Sequence, residues 1–291
     1  MLSPYDLDCA LYSRRRRGED GQGWSFAPSP YGEIRVYDTG GPKPALLMVP
    51  DGPCFIEHFD ALIEAARKDW RVIVFDMPGF GRSFPKSGYR HSFEQACEVI
   101  ECVFDALDPG PATLAFSCAN GYYALCFSRK RPDLVRRIVL MQTPGLEAMR
   151  AWKKQNVPWP VRIPYIGQLA VYFQRLKIPH IWFKASLPKD SEKRAGYTET
   201  SCREIRDGAC NCLASVSQGL ESSKEADLVD APVPVHLIWG ARDFSHRHTD
   251  PATVSTMARQ ATVEIWDDAG HFPNLEFPER FLESLKQAGP Q

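Results

Sequence analysis

The stretch "ATLAFSCANGYYAL" (residues 112–125) runs from an unbroken apolar segment into a Ser-Cys pair and then into a helical pattern. Its first half does not alternate between apolar and polar residues, which is how a strand buried on both faces of a parallel sheet reads. A strand that passes directly into a helix is half of a βαβ unit, and the same phrase recurs along the chain. "EIRVYD", "PALLMVP", "WRVIVFD", "RRIVLMQ", "VPVHLIWG" and "ATVEIWD" read as further strands. Residues 56–68, 92–107, 119–130, 251–259 and 276–287 read as helices between them. The alternation predicts a doubly wound α/β domain: a mostly parallel central sheet flanked by helices.

Residues 146–229 break this rhythm, with prolines and the aromatics Trp152, Trp159, Tyr165, Tyr172, Phe173, Trp182 and Phe183. A structureless loop of that length is foreign to a compact domain, so the segment reads as a helical cap insertion. Most of its aromatics are expected to form its own core, and some to face the carboxyl ends of the strands, where ligands of open α/β sheets bind. The core is then 24–145 plus 230–291. Residues 1–23, ending in "GEDGQG" and carrying the run Arg14–Arg17, read as a flexible, solvated leader.

The 291 residues are 44% hydrophobic and 24% charged, with a net charge of −1. That balance gives no reason to expect nucleic acid or an anionic membrane as partner. No apolar run reaches the length of a membrane span, and the polar N-terminus lacks a signal-peptide core. Nine cysteines, an odd number without CxxC spacing, speak against a disulfide framework and a zinc site. A reduced, cytoplasmic setting is expected, with no cofactor and no metal; oligomeric state is not legible. His246 and His248 lack an accompanying carboxylate–histidine cluster and read as a solvated loop. His58 reads equally as a pocket residue or a core residue.

Three phrases give the chain an identity. "VIVFDMPGFGRSF" (72–84), "VHLIWGARDF" (235–244) and "DDAGHFPNLEFPERF" (267–281), in this order, resemble the α/β-hydrolase superfamily over about residues 30–287. The resemblance implies the α/β-hydrolase fold, with Asp243 as the acidic triad member and His271 as the catalytic histidine. The imidazole takes the nucleophile's proton and returns it to the leaving group, and the carboxylate fixes its tautomer.

It also implies a nucleophile in the strained turn between strand and helix, and here two residues compete. Ser117 has the small neighbours Ala115 and Ala119 that such a turn favours, whereas Cys118 has Phe116 and Asn120. The following helix points the other way. Counted from Cys118, positions +3, +6 and +10 are Gly121, Ala124 and Ser128, small enough to lie on the sheet. From Ser117 they are Asn120, Tyr123 and Phe127, which force the helix away. Family members usually reach a helix-ending proline fourteen residues after the nucleophile, and Pro132 stands there relative to Cys118. Cys118 is therefore expected as nucleophile, with Ser117 as the fallback.

The oxyanion donors implied are the Ala119 amide and the loop after "ALLMV". Where relatives usually carry His-Gly, this chain has Asp51-Gly52, then Pro53 and Cys54. Proline has no N–H, so Cys54 would have to donate if Pro53 takes the donor position. The expected activity is hydrolysis of a small to medium, largely apolar ester, thioester, lactone or C–C bond. A lyase, cyclase or transferase of a biosynthetic pathway, and a non-catalytic receptor, are the alternatives on the same fold.

Overall fold

Strands form where the apolar runs are long enough to be covered from both sides. The computed structural model describes residues 3–12, 21–224, 228 and 230–287. Its strands are β1 (Trp24–Ser29), β2 (Gly32–Asp38), β3 (Ala45–Val49), β4 (Arg71–Phe75), β5 (Phe80–Gly81), β6 (Ala112–Ser117), β7 (Val135–Met141), β8 (Cys210–Asn211), β9 (Val235–Gly240) and β10 (Thr262–Trp266). Its helices are α1 (Pro4–Tyr12), α2 (Asp60–Ala66), α3 (Phe93–Leu107), α4 (Ala119–Lys130), α5 (Leu146–Asn156), α6 (Trp159–Arg162), α7 (Ile166–Gln174), α8 (Ile178–Ser186), α9 (Lys193–Arg206), α10 (Leu213–Ser222), α11 (Pro273–Glu276) and α12 (Pro278–Gln287).

The main sheet has the order β1-β2-β4-β3-β6-β7-β9-β10, and β3 through β10 in it pair in parallel while β1 and β2 add an antiparallel edge. The period of two sorts each strand between two cores. Leu47, Ile73, Leu114 and Phe116 join α3 and α4 on one face; Leu46, Val72, Ala115 and Val139 join α2 and α12 on the other. This is the α/β-hydrolase fold. No described helix is long and apolar enough to cross a membrane.

Between β7 and β9 the chain leaves the sheet for α5–α10, and β8 pairs antiparallel with β5 of the core. Trp152, Trp182 and Phe183 turn inward toward the sheet's carboxyl edge, against His246, His271 and Phe272 respectively. Trp159 and Phe173 are exposed, so they are neither insertion core nor lining.

Three expectations need correction. Part of the supposed leader is ordered: α1 lies against α7 and α10, with Ser215 Oγ donating to the buried Asp8 carboxyl at 2.5 Å and Ser87 Oγ donating to Asp6 at 2.7 Å. The Arg14–Arg17 run lies outside the described residues. The expected helix at 251–259 is a 3-10 turn, Pro251–Thr256, because Thr253, Ser255 and Thr256 each turn a hydroxyl back to a backbone carbonyl three residues earlier. The helix expected over 276–287 is split into α11 and α12 at Pro278, which cannot continue a helix.

Candidate active site

The end of β6 decides the first residue of the site. Ser117 is still in the strand, opposite Met141, whereas Cys118 has φ 52° and ψ −126°, a left-handed conformation costly for a residue with a side chain. Two bonds hold it there: the Cys118 amide donates to Met141 O at 2.7 Å, and Thr143 Oγ1 donates to Cys118 O at 2.9 Å. The helix stripe explains how α4 comes so close. A Cβ on Gly121 would lie 2.4 Å from Thr143 Oγ1, and Ala124 and Ser128 are fully buried behind it. Tyr123 and Phe127 point instead toward Phe93 and Phe104 of α3.

Asp243 follows β9. Its Oδ1 accepts from the Ser245 amide (2.8 Å) and hydroxyl (2.7 Å), and its Oδ2 accepts from Gln142 Nε2 at 3.0 Å and from His271 Nδ1 at 2.6 Å. Burial alone would raise its pKa, but the charge of His271 and these hydrogen bonds outweigh burial and hold it below the usual carboxylate value. His271 has no exposed surface. Its amide donates to Ser186 O at 2.8 Å, and Glu276 braces the loop by accepting from the Gly270 and Phe272 amides. Burial pushes Glu276 up to about 7 despite those two bonds.

The structure thus brings Cys118, His271 and Asp243 together, and it adds a fourth group. Asp51 Oδ2 lies 3.1 Å from His271 Nε2, and Cys118 Sγ is within 4.8 Å of both. Burial works to lower the His271 pKa, yet Asp243, Asp51 and Cys118 together raise it well above the ordinary value. Burial, then the Asp51 charge, push the Cys118 thiol up to about 11, although His271 and the Ala119 amide favour the thiolate. Two donor sets are compact enough to share a cation, Asp51/Cys118/His271 and Asp243/His246/His271. In both sets His271 already bonds the carboxylate, Nε2 to Asp51 and Nδ1 to Asp243, bonds a cation would have to displace.

The remaining expected residues fall out unevenly. The Ala119 amide faces Cys118 Sγ. Gly52 and Pro53 form a turn through a cis peptide bond, and Cys54 is not a free donor, since its amide is bonded to Asp51 O at 2.8 Å. His58 is a core residue: Nδ1 accepts from the Phe55 amide, Nε2 donates to Tyr197 O, and burial pushes it down to about 4. His246 corrects the solvated-loop reading. It is 2% exposed, stacks on Trp152 at 4.7 Å and lies 5.4 Å from the His271 ring, while His248 is exposed. Residues missed from the sequence are Asp51, His246 and Gln142, whose side chain joins the Gly240 amide to Asp243. Only Asp51 left a sequence signal, as the departure from His-Gly.

An α/β-hydrolase core with a strained strand–helix turn, an acid and an imidazole in this order along the chain defines the class. The chain belongs to the alpha/beta hydrolase family, whose profile matches residues 46–284. It is 25% identical over 258 residues to the pimeloyl-[acyl-carrier protein] methyl ester esterase of Nitrosomonas europaea, covering 84% of this chain and 95% of that one. It is 24% identical over 268 residues to the 2-hydroxymuconate semialdehyde hydrolase of Pseudomonas putida, covering 86% and 88%. The fold is also that of carboxylesterase CesB from Bacillus subtilis, with a TM-score of 0.64, 17% identity, and 98% and 95% of the chains covered.

Proposed function

We propose that the protein is an acyl hydrolase with a Cys118-His271-Asp243 triad, acting on small to medium, largely apolar esters, thioesters or lactones. The observation that carries this reading is Cys118 at φ 52° on the turn, its sulfur within 4.8 Å of a His271 nitrogen whose ring is anchored on Asp243 at 2.6 Å. The esterase and hydrolase among its relatives support the reaction class. Trp182, edge-on to His271 at 5.2 Å, supports an apolar substrate and a covering role for the insertion.

His271 takes the thiol proton as sulfur attacks the carbonyl carbon, and the carbonyl π pair moves to oxygen. Collapse breaks the bond to the leaving group, which receives the proton from His271, leaving a thioester on Cys118. Water, deprotonated by His271, attacks the thioester; the acid leaves and sulfur recovers the proton.

Iodoacetamide alkylation with peptide mapping, and turnover of p-nitrophenyl butyrate, test the assignment. Cys118→Ala should abolish both, Ser117→Ala should leave labelling in place, and His271→Ala should abolish turnover. Cys118→Ala turning over within tenfold of wild type removes the thiol from the mechanism. A lyase or transferase use of the same triad is favoured by one observation, the second carboxyl at Nε2. Product analysis showing no free acid from any ester would select it.

A further inference from the structure

We infer that Asp51 works as a neutral carboxylic acid and donates its O–H to the carbonyl oxygen of the substrate, replacing a loop amide in the oxyanion hole. The inference rests on the acyl-transfer reading above.

The loop after β3 is short of donors. Pro53 has no N–H, and the Cys54 amide is spent on Asp51 O. The Pro53 carbonyl is in turn fixed by Ser201 Oγ of α9 at 2.8 Å, so the turn is held from both sides. Apart from the Gly52 amide, the loop offers the side chain of Asp51, and that side chain points into the site. A carbonyl oxygen in the adduct stands two bonds from sulfur, and an effective donor lies about 2.7–3.1 Å from it. A carboxyl oxygen within 4.8 Å of Cys118 Sγ has that reach.

An ionised Asp51 would defeat the chemistry in three ways. It would hold the His271 Nε2 proton at 3.1 Å, so that the imidazole could not accept from the thiol. Its charge would disfavour the thiolate. It would repel the negative charge that develops on the substrate oxygen. The neutral acid reverses all three. A neutral Asp51 no longer contributes to the pull that raises His271, so in the resting site its O–H donates to Nε2 of the unprotonated imidazole; when a carbonyl oxygen enters, the O–H turns to it and frees Nε2 for the thiol proton. No proton leaves Asp51 in the cycle.

The surroundings shift Asp51 toward the neutral form. Cys118, His271, Asp243, Cys54 and Tyr123 are the titratable groups facing Asp51. Burial comes first in raising its pKa and Asp243 adds to it, against the hydrogen bonds and charge of His271 and the bond to Cys118. A carboxylic acid kept protonated by an apolar site so that it can donate to an oxyanion has precedent in other enzymes.

The test uses Asp51→Asn, which keeps a neutral donor, and Asp51→Ala, which removes it. With p-nitrophenyl butyrate, Asp51→Ala should lose about 10²–10³ in kcat. Asp51→Asn should stay at least tenfold above Asp51→Ala and lose the fall in kcat at high pH. In both variants the pH midpoint for iodoacetamide alkylation of Cys118 should move down from about 11, while burial keeps it above the ordinary thiol value. The wild type gives an independent reading: as pH rises, alkylation speeds up while kcat falls. Asp51→Ala with wild-type kcat, Asp51→Asn as inactive as Asp51→Ala, or a wild-type kcat that climbs in parallel with alkylation would each overturn the inference. If Cys118→Ala turns over, the acyl-transfer reading itself fails; if it is dead while Asp51→Ala is normal, only the role of Asp51 fails.

Discussion

Replacing Gly121 with alanine places a methyl group where α4 crosses β7. In a helix interior this change is normally favourable by about 1 kcal/mol, since glycine is the poorer helix former. Here the added Cβ would stand 2.4 Å from Thr143 Oγ1, 2.7 Å from Thr143 Cγ2 and 2.9 Å from Leu140 Cδ2. Thr143 cannot yield freely, because its hydroxyl is fixed by Cys118 O and Met141 O at 2.9 and 3.1 Å. Overpacking of this kind costs about 1–3 kcal/mol, and losing the hydroxyl's bond adds about 1 kcal/mol. The net expectation is a loss of about 2 kcal/mol in urea unfolding. Turnover of p-nitrophenyl butyrate should also fall, because Thr143 holds the carbonyl of Cys118. Gly196, in the interior of α9, has nothing within 4 Å of its would-be Cβ and supplies the control. Gly196→Ala should gain about 0.5–1 kcal/mol and leave turnover alone. Gly121→Ala matching Gly196→Ala in stability would refute the close-approach reasoning, and with it the argument that put Cys118 ahead of Ser117.

Two further outcomes are expected. His58→Asn, whose amide oxygen can accept from Phe55 as Nδ1 does, isolates one buried imidazole. The folded pKa near 4 lies below the unfolded value of about 6.5, so wild type loses stability as pH falls through that window and the variant does not. The stability difference between them should shift by about 2–3 kcal/mol in favour of the variant between pH 7.5 and 4.5, measured by urea unfolding; a constant difference would refute it. Arg82→Met breaks the buried pair to Glu204 (3.0 Å) and the bond to Asp207 O (2.8 Å) that tie the core to α9. It should cost about 3 kcal/mol, while Arg82→Met/Glu204→Met should recover most of it; a double variant no better than the single one would show that the charge left behind is not the cause.

The legible parts of this protein are those whose cause is local. A continuous apolar run makes its own strand, and Gly121, Ala124 and Ser128 declare the inward face of α4 through spacing alone. The phrases around Asp243 and His271 carried their loops with them. What could not be read depends on chain segments far apart. His246 is buried between Trp152, which lies flat against it from the insertion, and Trp239. The helix α1 is held by Ser87 and Ser215, neither of them near it in sequence, so its polar setting read as a leader. The pair β5 and β8 is two residues long in each strand and has no periodicity to detect. Asp51 was visible as an oddity, but that its carboxyl meets Nε2 follows from a turn closed by the Cys54 amide on Asp51 O.

The bond from the His271 amide to Ser186 O, at the last residue of α8, joins the loop that carries the imidazole to the insertion packed against it. Lys193 Nζ and Tyr197 Oη of α9 hold Leu275 O, three residues beyond Phe272, and tighten the same joint. The assembly therefore behaves as an interlock. A displacement of α8 and α9 would pull on the loop that carries the imidazole. On the proposed acyl-transfer reading, movement of the insertion and the aim of the imidazole are one coupled event.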